Sequence, residues 1–497
     1  MGLLPNVFIT KKYSATDPRY MLKSAKKLFD IRDPVHGTIQ FTSLEKRIID
    51  HPYIQRLRYI HQLGFVFFVY PGATHDRFSH ALGAMHIAGR LWGQIVNSSR
   101  DFLLGYMTMA DIEYLGKIVR LAGLLHDSGH GPFSHTSEEL LPQLKTLDVP
   151  REWYGASIKS NERATHEDYS VMVIASLARG KNAPISIVEA QDIASLVHHR
   201  IKPSEEWNRR FSRALKKKFI VHDVVQSFVS GDLDCDRMDY LMRDAHHTGV
   251  PYGFYDIDRL ISALSLISLS ATGGIAQSSS RGEVHVALDY TGIRAFEDFL
   301  LARYHMLLQV YFHKTANCFD YFLKQAFIVG ELSYAIPAMM EKFAHLRDSS
   351  IFEKLFFAAQ NPKNVWSRRL ISRTPATLVF STSMLREGKR KELDKKLLLR
   401  KIIFVCAKKG VVPIIVSSAQ HLYRSPAKKR SGAKLFVVKR VMGEDFYEPI
   451  EKYSNLLQKY NEEINLFDAY ILKEDYPKVA SGLKKLLVGY QQKALGT

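Results

Sequence analysis

LAGLLHDSGHGPFSH, residues 121–135, sets three histidines and an aspartate at the end of an apolar run. Upstream, in DIEYLGKIVRLAGLLHD (111–127), Ile112, Leu115, Val119, Ala122 and His126 recur at steps of three and four. That is the period of a helix with one buried face, so the spacing predicts a helix that carries His126 inward with Asp127 beside it. His130 follows four residues on, and Gly129, Gly131 and Pro132 predict a stop that lets His135 turn back. For a lone His-Asp dipeptide, a structural hydrogen-bonded pair is the better reading.

Two other segments change the balance. In DRFSHALGAMHIAGRLW (76–92), His80, Ala84, Ile87 and Leu91 share one predicted helical face with Arg77, and the small residues Ala84, Ala88 and Gly89 suit close packing around a charged site. In GDLDCDRMDYLMRDAHHTG (231–249), Asp236, Tyr240 and Asp244 fall at i, i+4 and i+8, with Arg237 and Arg243 alongside. Taken alone, the last segment reads as an ion-paired surface helix. Taken together, the three supply His80, His126, Asp127 and Asp236, two imidazoles and two carboxylates. Such a set suits a divalent metal ion (Mn, Fe, Mg, Ni or Zn) without choosing among them.

The rest of the 497 residues bounds the class. No apolar stretch reaches the length of a membrane span, no leader pattern opens the chain, and a cytoplasmic protein is expected. Cys235, Cys318 and Cys406 are too widely spaced for a disulfide framework or a thiolate zinc site. The net charge of +19 is concentrated: between Arg368 and Arg440 there are 20 Lys/Arg against Glu387, Glu392 and Asp394. This block suits a polyanion such as nucleic acid, and it equally suits a solvated basic face.

Helical periodicity dominates from about residue 42 to 330, with short strands expected at HGTIQF (36–41) and in SRGEVHVAL (280–288). After about residue 365, ATLVFS, KIIFVCA, VVPIIVSS and AKLFVVKRV read as strands, and SPAKKRSGAK as an exposed loop. The expected fold is mainly α, a helical core with a smaller α+β C-terminal domain. The divisions are an N-terminal extension (1–28), a core (29–330) and a basic α+β domain (331–497).

The H…HD…D arrangement resembles the HD-domain metal-dependent phosphohydrolases. DPVHG (33–37), QRLRYIHQLG (55–64), YPGATHDRFSHALG (70–83), HDSGHGPFSH (126–135), THED (165–168), DCDRMDYLMRDAHHTG (234–249) and YFHK (311–314) are similar to the deoxynucleoside triphosphate triphosphohydrolases within that superfamily. The pattern starts near residue 29, so the N-terminal SAM domain of the animal member is not expected.

The resemblance implies hydrolysis of dNTPs to deoxynucleoside and inorganic triphosphate, with His80, His126, Asp127 and Asp236 as metal ligands. It implies His135 as general acid, with His130 and His166 near the phosphates, and Glu138 and Glu167 orienting His135 and His166. Arg77, Arg237 and Arg303 would clamp the triphosphate. Gln62, Leu63, Tyr240, Asp244 and Tyr311 would hold the sugar, Leu63 and Tyr311 crowding the 2′ position. Asp50, Gln55 and Arg58 match a guanine-reading effector site, and Arg259, His313 and Lys314 part of a neighbouring one. Phe29, Arg32, Asp289 and Thr291 depart from that pattern. A homo-oligomer, dimer or tetramer, is implied. The alternatives are an HD-superfamily nuclease or broader nucleotide phosphohydrolase, favoured modestly by the basic block, and a non-catalytic nucleotide- or nucleic-acid-binding protein.

Overall fold

The computed structural model describes residues 27–156, 158–159, 161–269, 283–385, 389–421, 423, 435–460 and 463–494. The fold is mainly α, with small sheets at its edge. Its centre is the Arg77–Ser98 helix, capped by the Asp76 carboxylate, which accepts from the Ser79 amide at 2.8 Å. Apart from Ser79 it is buried from Arg77 to Val96, so it has no polar outer face and must be enclosed by other elements.

Two helices enclose it closely. The Met109–Leu125 helix, opened by a Thr108/Asp111 capping box, packs Gly123 against Ala84 and Ala88. The Cys235–Thr248 helix, capped by Asp234 and closed by Gly249 at φ 74°, lays Asp239 and Arg243 against Gly83. A Cβ on Gly83 would sit 1.8 Å from Asp239 Oδ1 and 2.4 Å from Arg243 Nη2. Gly83→Ala is therefore expected to destabilise the fold by about 1–3 kcal/mol or more through overpacking, read from urea denaturation. An unchanged midpoint would contradict this close approach.

The Ile112, Leu115, Val119, Ala122 stripe is buried as its period predicts, and His126 caps the helix. The helix ends at Leu125, so the stop precedes Gly129 rather than using it. The long apolar run from 293 is divided into Ile293–Met306, one π-helical turn at Leu307–Tyr311, and Lys314–Ile328.

Strands β1 (Leu28–Asp33) and β2 (Gly37–Thr42) form an antiparallel hairpin. A four-stranded sheet has the order β3 (Leu264–Leu269), β4 (Glu283–Asp289), β7 (Leu435–Val441), β8 (Glu444–Pro449), with β4 and β7 parallel. A three-stranded antiparallel sheet has the order β5 (Thr377–Leu385), β9 (Glu463–Ile471), β6 (Ile414–His421). A single boundary at residue 330 therefore does not separate the sheets, because residues 435–449 extend a hairpin that begins at 264.

One strand expectation is corrected. KIIFVCA (401–407) ends the Lys389–Ala407 helix, where Leu398, Ile402 and Cys406 recur every fourth residue and pack with Val479 and Leu483 of the Tyr476–Ala494 helix. The β-branched run mimics a strand, and the helical period of its buried positions wins. The SPAKKRSGAK loop lies outside the described residues. Among the described residues no helix is long and apolar enough to cross a membrane.

Candidate metal centre and phosphohydrolase site

His80 leaves the first turn of the Arg77–Ser98 helix, His126 and Asp127 leave the end of the Met109–Leu125 helix, and Asp236 leaves the first turn of the Cys235–Thr248 helix. Each offers one ligand atom, and all four atoms lie within 4.8 Å of one another. His80 donates its Nδ1–H to Asp239 at 2.8 Å, and His126 its Nδ1–H to the Gly123 carbonyl at 2.9 Å. In neutral imidazoles both Nε2 atoms are then lone pairs, 3.3 Å apart, with Asp236 Oδ1 3.1 Å and 3.4 Å away.

Lone pairs and carboxylates converging on one point demand positive charge. Despite burial, the hydrogen bonds and charges of Asp236 and Asp239 pull His80 up to about 10. Burial likewise opposes His126, yet Asp127 and Asp236 raise it above its ordinary value. The same pairings hold Asp236 below the usual carboxylate range against burial. Protons or a metal ion can supply that charge, and the donor set fits a divalent ion.

Beside this set, the His130 and His166 rings stack with centroids 4.1 Å apart, and His130 Nε2 lies 3.4 Å from Asp127 Oδ1. His166 Nδ1 meets Glu138 Oε1 at 2.6 Å. Burial opposes protonation of His166, but the Glu138 hydrogen bond raises it; burial and the Arg77 charge push His130 well down. The two stacked rings are thus shifted in opposite directions.

Glu138, not Glu167, meets His166, correcting the expected pairing. Glu167 Oε2 instead lies 3.9 Å from His198 Nε2. His135 follows the left-handed Phe133–Ser134 turn, and its side chain lies outside the described residues.

Farther along the Cys235–Thr248 helix, Asp244 is buried between His75 Nε2 at 2.8 Å and the Tyr311 hydroxyl at 2.7 Å. Tyr311 stands in the π-helical turn, edge-on to Tyr240 with ring centroids 5.8 Å apart. The Gln62 amide donates to the His75 carbonyl at 3.0 Å, and Gln62 Oε1 is buried with no hydrogen-bond partner among the described residues. Leu63 follows it at the same wall, half-buried.

The three expected clamp arginines differ. Arg77 is bound to Asp127 through Nη1 and to Ser134 Oγ through Nε at 3.0 Å, so much of its charge is already neutralised. Arg237 pairs with Asp234 at 2.7 Å. Arg303 faces Tyr240 and Arg237, and burial together with the Arg237 charge lowers it.

A family model described as HD domain matches residues 77–221. That match takes in the segments that carry His80, His126 and Asp127. The chain is 32% identical over 298 residues to an uncharacterized protein of Methanocaldococcus jannaschii, covering 60% of this chain and 49% of that one. It is 29% identical over 355 residues to the deoxynucleoside triphosphate triphosphohydrolase SAMHD1 of Bos taurus, covering 67% and 54%. It thus spans about half the length of these curated relatives. A solved structure of a hypothetical protein from Aquifex aeolicus superposes with TM-score 0.62 at 25% identity, covering 92% of this chain and all of that one. A phosphohydrolase from Bacteroides thetaiotaomicron shares the fold with TM-score 0.59 at 24% identity, covering 89% and 100%.

The HD-domain site uses residues the sequence reading missed. Asp239 is fully buried and holds His80, His36 and Arg243 at 2.8, 2.6 and 2.8 Å, while Arg243 reaches back to Asp33 at 2.8 Å. His75 orients Asp244 and stacks on His247. DPVHG and the i, i+3 spacing of Asp236 and Asp239 carried a signal for the first network, but only tertiary contact distinguishes a ligand from its support.

The expected effector positions have local partners of their own within the chain. Arg58 donates to Gln55 at 2.8 Å and lies over the Phe78 ring, and Asp50 pairs with Lys46. Arg259 is exposed, while His313 and Lys314 open the Lys314–Ile328 helix. Phe29 stacks on Phe41, and Asp289 accepts from Thr291.

Proposed function

We propose that this chain hydrolyses deoxynucleoside triphosphates to deoxynucleoside and inorganic triphosphate. The observation that carries the reading is the His75–Asp244–Tyr311 chain, with the orphaned Gln62 carbonyl on a residue bonded to the His75 backbone, built on the same helix that carries Asp236 of the four-residue metal set. The similarity to SAMHD1 supports the substrate class.

His80, His126, Asp127 and Asp236 would hold a divalent ion, which supplies Lewis-acid polarisation of a phosphoryl oxygen and activation of water. Water oxygen bonds to the α-phosphorus, the bond from phosphorus to the 5′ oxygen breaks, and a proton goes to that oxygen. His135 is the proton donor implied by family similarity. His166, held by Glu138, and His130 stacked on it would lie near the phosphates. Arg77, Arg237 and Arg303 form the clamp, and a triphosphate would relieve the repulsion between Arg237 and Arg303. Asp244 and Gln62 meet the 3′-hydroxyl, and Tyr311, fixed by Asp244 and packed on Tyr240, closes the space at C2′ with Leu63.

The test is chromatographic product analysis with all four dNTPs and NTPs and added Mn or Mg. Intact triphosphate from dNTPs is expected; pyrophosphate or orthophosphate as the primary product would overturn the reaction. Tyr311→Ala should narrow the preference for dNTP over NTP by roughly tenfold or more, because a steric wall is lost. A variant with parent selectivity removes Tyr311 from the sugar site. The same assay includes GTP, for an effector site built from Asp50, Gln55 and Arg58 with Arg259, His313 and Lys314 of a homo-oligomer, and oligonucleotides, for the nuclease alternative. The proposed substrate pool is cytoplasmic.

A further inference from the structure

Phe133 and Ser134 hold consecutive left-handed conformations, φ 55° and 54°, although neither is glycine. Such backbone persists only where surrounding contacts over-determine it. The contacts come largely from the Asp348–Ala358 helix, far outside the HD match at 77–221. Asp348, 2% exposed, accepts the Phe133 amide on Oδ1 at 2.9 Å. Its Oδ2 accepts the His61 amide at 2.8 Å and the His61 Nδ1–H at 2.6 Å. From the same helix Phe352 packs edge-on to Phe133, whose other face stacks on Phe65 at 4.6 Å. Ser134 Oγ accepts from Arg77 Nε and donates to the His61 carbonyl, both at 3.0 Å, and Arg77 is bound to the metal-set residue Asp127.

One buried carboxylate therefore ties two loops that also meet through the Ser134–His61 bond and the Phe133–Phe65 stack. One leads into Gln62, the other into His135. We propose that Asp348 is a positioning residue that locks the strained Phe133–Ser134 turn against the His61–Gln62 loop, setting the distance between the sugar wall and the segment that carries His135. The kinetic part of this inference rests on the proposed dNTP hydrolysis; the structural part does not. Asp348 fits the role because an aspartate offers two acceptor oxygens to three donors, whereas the amide of an asparagine would turn a donor toward one of them.

The test uses the full chain carrying Asp348→Asn, with His61→Phe as a milder variant that keeps the backbone donor. Amide hydrogen exchange is expected to rise about tenfold or more in peptides covering 59–64 and 130–136, and to stay at parent values in 77–98 and 109–125. Metal content should be unchanged, while kcat on dNTP falls on the order of 10²-fold in Asp348→Asn with KM nearly constant. A merely structural role would lower the melting temperature without moving kcat per metal-loaded chain. Parent exchange in both segments in both variants overturns the clamp, and raised exchange with parent kcat overturns its positioning role. If the parent chain hydrolyses no dNTP, the substrate reading falls and the exchange measurement alone decides the clamp.

Discussion

Asp236→Ala is expected to strip the divalent ion and to reduce phosphohydrolase turnover by roughly 10³-fold or more, the scale of losing the metal's contribution to the transition state. The residue is half-buried at the start of a helix that Asp234 caps independently, so its loss should leave the fold standing. What it removes is the carboxylate oxygen that faces both His80 and His126 Nε2. His126→Ala should do the same from the opposite side. Elemental analysis and calorimetric titration with Mn report the metal, and steady-state rates report the chemistry. A variant that keeps both the ion and the rate would remove Asp236 from the metal set.

The second large effect is expected at Asp239, which touches no substrate. Asp239→Ala leaves Arg243 fully buried with Asp33 as its remaining partner and frees His80 to rotate. Breaking a buried ion pair from one side costs about 3–5 kcal/mol, and losing the partner of a metal-ligating histidine costs about 10- to 100-fold in metal affinity. Urea denaturation should show the first and competition with a chelating indicator the second. If stability falls while metal affinity holds, Asp239 serves the helix pair alone and His80 needs no orienting partner.

The clustering of His80, His126, Asp127 and Asp236 was legible because each sits on or just beyond a strongly periodic helix, and period plus residue type places a side chain on a face without tertiary knowledge. His80 and His126 continue buried stripes, and Asp236 shares a face with Tyr240 and Asp244. The supports were not legible for the opposite reason. Asp239 and Arg243 look like an exposed ion pair until Gly83 brings the central helix against them. Glu138 and Glu167 are both near histidines in sequence, and only the turn through Phe133 and Ser134 decides that Glu138 meets His166. KIIFVCA misled because β-branched residues raise strand propensity while the three buried positions beneath them follow a four-residue step.

The parallel pairing of β4 with β7 bears on how the chain can be made and cut. Val286 lies beside Leu435, so the contact joins residues about 150 positions apart and must form late, after most of the intervening sequence has been synthesised. Until then β4 presents unpaired amides and carbonyls along one side, the kind of edge that recruits other chains. A truncation near residue 330, the natural place to cut by helical periodicity, would make that transient condition permanent. Such a fragment is expected to keep every metal ligand and still precipitate, whereas a chain that retains β8 and also β9, the central strand of the three-stranded sheet, should not. The segment that looks dispensable to the chemistry is, on this account, what lets the catalytic half exist as a monodisperse species.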